Sequence, residues 1–218
     1  QRVLFDGTQA TGVEISRRGR KQTIQGAHVI LSGGAVASPQ LLEVSGVGGG
    51  ERLRSLGIDV VHHAPDVGEH LQDHILCKVV YATQPEHSIN REVQGLRLIP
   101  AALRWFFLRE GPLTTGSAPV GAFCHTRDGL EAPDVQIHFA SGGTLYNNAG
   151  KIRALKQPAV TAVVNQSRPE SRGSIHAKSS DIADAPVIAA NYLSSALDRD
   201  TLLRGMRILL NIFDQSEL

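Results

Sequence analysis

Three groups of residues have the types and spacing that chemistry needs. Gly33, Gly34 and Ala35 stand between the apolar run Val29-Ile30-Leu31 and a helix-type stretch. A glycine turn at a helix start lets backbone N–H groups approach a nucleotide or a pyrophosphate closely. A plain tight turn uses the same residues, and neither a Gly-x-Gly-x-x-Gly nor an acid at a following strand end accompanies them. Gly46-Val47-Gly48-Gly49-Gly50 has glycines but follows a helix, which makes it a poor dinucleotide fingerprint. His70 and His74, with Asp73 between them, would share one face if helical and so invite a metal. The third ligand of a zinc site is missing, so these read as hydrogen-bonded loop histidines, as do His62-His63, and no metal is expected. Ser45 lies in Glu43-Val44-Ser45-Gly46, not in the Gly-x-Ser-x-Gly elbow of a hydrolase. Glu170, Asp181 and Asp184 read as caps and turn residues, with no acid–base pair among them.

The elements that must position these groups are legible from periodicity and punctuation. Arg2–Phe5, Gly12–Ser16 and Ala27–Ser32 read as strands, the basic cluster Arg17, Arg18, Arg20, Lys21 as a solvated hairpin turn around Gly19, and Val29-Ile30-Leu31 as a parallel strand buried on both faces. Ser38 is expected as N-cap and Pro39 as first residue of a short helix that Gly46 closes. A second helix over Glu51–Leu56 ends at Gly57, a strand covers Ile58–His62, and Pro65–Gly68 form a turn. Further on come a strand Leu76–Ala82, a polar loop Gln84–Asn90 and a helix over Val93–Arg109. Its Trp105, Phe106 and Phe107 are expected in a core or a domain interface. Strands Gly121–Cys124, Asp134–Phe139 and Val160–Asn165 follow, with a glycine and asparagine loop at Gly142–Gly150. A helix opened by Asp198 carries Leu202, Leu203, Met206, Leu209, Leu210 and Phe213 at helical spacing.

Composition excludes several functions. The 22 basic residues against 21 acidic ones leave a net charge of +1, which gives no electrostatic footprint for nucleic acid or an anionic membrane. No apolar run approaches a bilayer span, and the two cysteines, Cys77 and Cys124, suggest neither a zinc ribbon nor a disulfide framework. A cytoplasmic, reducing location is expected on that basis. The sequence opens at Gln1 inside a strand-type run and stops at Leu218 after a helix, which reads as an internal piece of a longer chain.

The run Ser32–Gly48, SGGAVASPQLLEVSGVG, resembles the second signature of the glucose-methanol-choline oxidoreductases. Gly34, Ala35, Ser38, Pro39, Leu41, Leu42, Ser45, Gly46, a branched residue and Gly48 all fall at its spacing. The likeness extends through RVLFDGTQATGVEI before it and ERLRSLGIDVVHHAPDVGEHLQDH after it, then GPLTTG, GAFCHTR and APDVQIHF, and finally RPESRGSIHAKSSD, APVIAANYL and DRDTLLRGMRI. Nearly the whole chain is covered, and the choline-dehydrogenase-like branch is the most similar in flavour.

That resemblance implies an α+β fragment of a two-domain flavoprotein: residues 1–76 from the FAD-binding region, 77–167 from a substrate domain with a mostly antiparallel sheet, and 168–218 from the start of the C-terminal region. It implies FAD as cofactor, a small-molecule alcohol as substrate, and hydride transfer to the flavin that yields an aldehyde or ketone. Ser32, Gly33, Gly34, Ala35, Ser38 and Pro39 would lie by the ADP half of FAD, and Gly68, Asp73 and His74 on the flavin side. His70 stands where relatives usually have asparagine, which changes the hydrogen bonding beside the flavin, and Gly33 stands where they usually have alanine. No catalytic residue is expected here: the family's dinucleotide fingerprint is not in this sequence, and the resemblance puts the family's catalytic histidine beyond Leu218. The isolated chain is therefore expected to be inactive and to bind FAD poorly. The rival expectation is a non-catalytic binding module, or a pseudogene product, that kept part of the fold.

Overall fold

The structure, a computed structural model, describes residues 1–114, 116, 118–146 and 151–215. The Asn147–Gly150 part of the expected loop lies outside the described residues, and so does Leu218, the position beyond which the catalytic histidine is expected. The chain divides into two compact units that interleave in sequence, residues 1–73 with 170–194 and residues 74–169 with 195–218.

The first unit opens with an antiparallel sheet of β1 (Arg2–Asp6), β2 (Gln9–Arg17) and β3 (Arg20–Gln25). Arg18 (φ 53°) and Gly19 (φ 75°) both adopt left-handed backbone, the requirement of a two-residue hairpin turn whose twist matches its strands. Beyond β3 the expected buried strand does not form. Residues 26–33 are irregular, and Ile30 is 87% exposed. A strand needs a ladder partner, and among the described residues none lies beside this segment, so apolar content alone does not make it a strand.

Helix α1 (Gly34–Val44) starts five residues earlier than its sequence predicts, with Gly33 rather than Ser38 as N-cap and with Pro39 inside it. Ser38 still serves the helix start, because its Oγ accepts the Gly33 N–H at 3.0 Å. Gly46 closes the helix as expected, at φ 89° and with its N–H on the Glu43 carbonyl. Then come β4 (Val47–Gly48), α2 (Gly50–Ser55), which ends before Gly57 at φ 72°, and β5 (His62–His63). Of the expected strand only His62 pairs, in parallel with Val47, and the ladder continues one residue further with His63 beside Gly48. Val3, Val44, Leu53 and Ile58 are the buried apolar side chains of this stretch.

The second unit begins with β6 (Leu76–Ala82). The expected helix over Val93–Arg109 splits into a single 3₁₀ turn at Gly95–Arg97 and α3 (Leu98–Leu108), with Arg109 left-handed at its end. Trp105, Phe106 and Phe107 are 42%, 61% and 71% exposed, so they do not enter a core. Strands β7 (Val120–Cys124), β8 (Val135–Ala140), β9 (Thr144–Tyr146), β10 (Ile152–Ala154) and β11 (Ala159–Gln166) follow. β6, β11, β8 and β7, in that order, make an antiparallel sheet with β11 central and almost wholly buried. The polar loop before α3 is a clamp: buried Asn90 accepts the Gly143 N–H through Oδ1 and donates through Nδ2 to the carbonyls of Gly143 and Leu155.

The chain then returns to the first unit with β12 (Ser174–His176) and β13 (Val187–Ala189), and to the second with α4 (Ala196–Phe213), whose N-cap is Ser195. Asp198, Thr201, Leu202, Gly205 and Leu209 form the buried stripe of α4. Leu203 and Leu210 fall outside it. Gly205 lets the helix lie close to the sheet, since a Cβ there would stand 3.0 Å from Val135 Cγ1 and Val164 Cγ2.

Candidate functional site

The signature residues of the first unit do two different jobs. One set is structural. The Ser45 hydroxyl accepts the Val3 N–H at 2.9 Å and donates to the Leu41 carbonyl at 2.6 Å, which ties β1 to the end of α1. At Gly46 a Cβ would stand 2.6 Å from the Asp59 carbonyl oxygen. Gln40 donates to the carbonyls of Asp184 and Ile182.

The other set faces open space. Ala35 and Pro39 of α1 line a cleft of about 290 Å³ together with Gly68, Glu69, His70, Leu71, Gln72 and Ile175. Pro39 has no N–H to return to the Ala35 carbonyl, and the first N–H groups of any helix lack intrahelical acceptors, so this end of α1 is rich in uncommitted backbone polarity. The cleft is at the lower limit of common small-ligand pockets.

The opposite wall is held to β12 by backbone. The Ile175 N–H donates to the Gly68 carbonyl at 2.7 Å, and Leu71 and Gly173 exchange both N–H···O bonds at 2.9 Å. Gly68 has φ 84°, and a Cβ on it would stand 2.2 Å from the Ile175 oxygen and 2.7 Å from His176 Nδ1, so only glycine fits. His70 is left-handed at φ 61°, a conformation that asparagine and histidine tolerate better than most residues.

Behind that wall lies a cluster that motif reading passed over. Glu43 is fully buried. Its Oε1 is 2.8 Å from His176 Nδ1 and 3.6 Å from Arg52 Nε, and its Oε2 accepts the Ala177 N–H at 2.6 Å. His176 Nε2 meets Glu69 Oε1 at 2.9 Å. Both ring nitrogens of His176 thus face a carboxylate oxygen. Arg52, Glu69 and His176 also line a second cleft, of about 410 Å³, with His63.

Of the sequence-predicted site residues, then, the structure brings Ala35, Pro39 and Gly68 to one cleft. Ser32 is exposed, Gly33 and Ser38 bond to each other, and Gly34 begins α1 at φ 71°. Asp73 accepts the Tyr192 hydroxyl, a bond that holds the phenol above the ordinary tyrosine range, with burial a smaller cause. His74 belongs to the second unit, where its ring meets the Ser167 carbonyl at 3.1 Å. There, burial pushes the Lys78 ammonium below its usual range, and its Nζ donates to Thr144 Oγ1 at 2.8 Å. Among the described residues no three His, Cys, Asp or Glu side chains are gathered for a metal, and no helix is long and apolar enough to cross a membrane.

This is an α+β chain in which a glycine-bounded helix start faces a backbone-pinned glycine loop. The two sequence models described as GMC oxidoreductase match residues 1–76, for the N-terminal part, and 169–218, for the C-terminal part. The chain belongs to the glucose-methanol-choline oxidoreductase family. Within it, the chain is 37% identical over its whole length to the mitochondrial choline dehydrogenase of Mus musculus and covers 36% of that protein. It is 33% identical, again over its whole length, to the oxygen-dependent choline dehydrogenase of Staphylococcus saprophyticus and covers 38% of it. The chain thus spans little more than a third of these relatives. The fold is shared with a formate oxidase of Aspergillus oryzae, with a TM-score of 0.86 at 21% identity over 97% of this chain and 42% of the other. It is also shared with an FAD-dependent oxidoreductase of Chaetomium thermophilum, with a TM-score of 0.80 at 19% identity over 99% and 43%.

Proposed function

We propose that the polypeptide carrying this sequence is an FAD-dependent oxidoreductase that acts on the CH–OH group of an alcohol. The observation that carries this reading is the meeting of signature residues Ala35 and Pro39 with Gly68–Gln72 around one cleft. FAD, when bound, supplies the hydride acceptor, so that the carbinol carbon becomes a carbonyl and the hydroxyl proton passes to a base. No residue up to Leu218 is assigned as that base.

The chain's own residues hold and orient. Ser32–Ala35, Ser38 and Pro39 present the open end of α1 to the ADP half, where backbone N–H groups suit an anion. Gly68, with Asp73 and His74 further along the same segment, belongs to the flavin side. A glycine at 68 lets the backbone lie flat against β12, which keeps the cleft wall thin. Choline is the first alcohol to test, on the names of the relatives, and a cytoplasmic location is part of the same proposal.

The test is purification of the full-length polypeptide that carries this sequence. Visible flavin absorbance that choline or another alcohol bleaches without oxygen is the expected result. Absence of flavin, or flavin that no primary or secondary alcohol bleaches, overturns it. The 218 residues alone are expected to take up FAD far below one per chain.

A further inference from the structure

The Glu43–His176–Glu69 cluster is absorbed by none of the above. It is built at a cost, because a buried carboxylate is tolerated only when it is paired and hydrogen-bonded. Glu43 is at 0% exposure, with both oxygens occupied. His176 is anchored at Nδ1 by that carboxylate and grips Glu69 through Nε2, while the neighbouring Ile175 N–H and the Gly173 backbone hold Gly68 and Leu71. Glu69 lines both the cleft that holds Ala35 and Pro39 and the cleft on its other side. One imidazole therefore connects the buried face of α1 to the wall that its open end faces.

We infer that His176, held by Glu43, is a positioning residue that sets Glu69 and with it the Gly68–Gln72 wall of the cofactor cleft. This rests on the proposed flavin site and assigns within it a residue that touches no cofactor. The contacts that hold the wall include the Gly68 carbonyl, the Leu71–Gly173 pair and the Glu69 carboxylate. The last is a side-chain contact that a substitution removes without disturbing backbone. A charge-assisted bond of this kind is strong enough to shift a binding equilibrium about tenfold.

The experiment uses the full-length polypeptide, stripped of flavin and titrated with FAD, and follows amide hydrogen exchange of residues 68–72 in the flavin-free state. Glu69→Ala leaves the buried Glu43–His176 pair intact. It is expected to speed exchange over 68–72 and to weaken FAD binding about tenfold at an unchanged melting temperature. Glu69→Gln keeps a hydrogen-bonding partner for Nε2 and is expected to restore both readouts toward wild type. His176→Leu is expected to weaken FAD binding like Glu69→Ala, and the double variant to be no worse than either single one. If wild type binds FAD while Glu69→Ala changes neither exchange nor affinity, the inference falls and the proposed function stands. If Glu69→Gln is as weak as Glu69→Ala, the carboxylate acts by its charge and the positioning role is overturned. If wild type itself takes up no FAD, the proposed function fails and the inference with it.

Discussion

The two units solve the same packing problem with different materials. In the second, α4 lies on β11 through a stripe in which Leu202 and Leu209 are buried beside Asp198 and Thr201, against a sheet that contributes Val135, Ile137, Ala162 and Val164. In the first, α1 meets β12 through a charged pin, Glu43 to His176, and through Gln40 to the 182–184 backbone. Apolar contact is roughly proportional to area and tolerant of direction. Charged contact is strict about geometry, and losing one partner leaves the other buried and unpaired. The unit that carries the candidate cleft is the one built on the strict contact, which suits a wall that must stay in one place.

On that contrast, Glu43→Ala is the most damaging single change, because it strands the His176 ring and the Ala177 N–H. A loss of about 3–5 kcal/mol in denaturant unfolding is expected. A loss under about 1 kcal/mol would mean that the pin is ornamental. Leu209→Ala in the apolar unit is expected to cost about 2–5 kcal/mol, because it leaves a cavity under α4. Gly205→Val tests closeness rather than area: with a Cβ contact of 3.0 Å on both Val135 and Val164, overpacking of about 1–3 kcal/mol is expected in the same measurement. Ser195→Ala removes the N-cap acceptor that Leu197 N–H uses at 3.2 Å and is expected to cost about 1 kcal/mol.

The smallest effect belongs to Tyr192, back in the polar unit. Its phenol is held above the ordinary range first by the hydrogen bond to Asp73, so the folded state favours the neutral form. That contribution is present below the ordinary tyrosine pKa and is lost as pH rises through the folded value. A tyrosinate absorbance titration of Asp73→Asn is expected to move Tyr192 back toward the ordinary range. No movement would show that Asp73 is not the cause.

Legibility follows the same division. The stop at Gly46, the hairpin at Gly19, the strands Leu76–Ala82 and Val160–Asn165 and the α4 stripe are readable, because each depends on local backbone preference or on one period of burial. The start of α1 is not. Ser38-Pro39 carries a good local cap signal, yet the helix begins at Gly34 and uses Ser38 from inside. The apolar run Val29–Leu31 misleads because a strand exists only beside a partner, and no residue type supplies one. Ala35, Pro39 and Gly68 are nameable as candidate site residues through their motifs, but that they share a cleft is not.

The order of residues by itself determined the family, the α+β class, and the glycines at 46 and 68 whose left-handed backbone admits little else. Only the tertiary structure decided that Glu43, Glu69 and His176 belong together, since the residues that make those contacts are 133 and 107 positions apart in the chain. The reason is physical. A turn or a cap is settled by a few neighbouring dihedral angles, whereas a buried carboxylate declares its role only once the chain has folded back to bring it a donor.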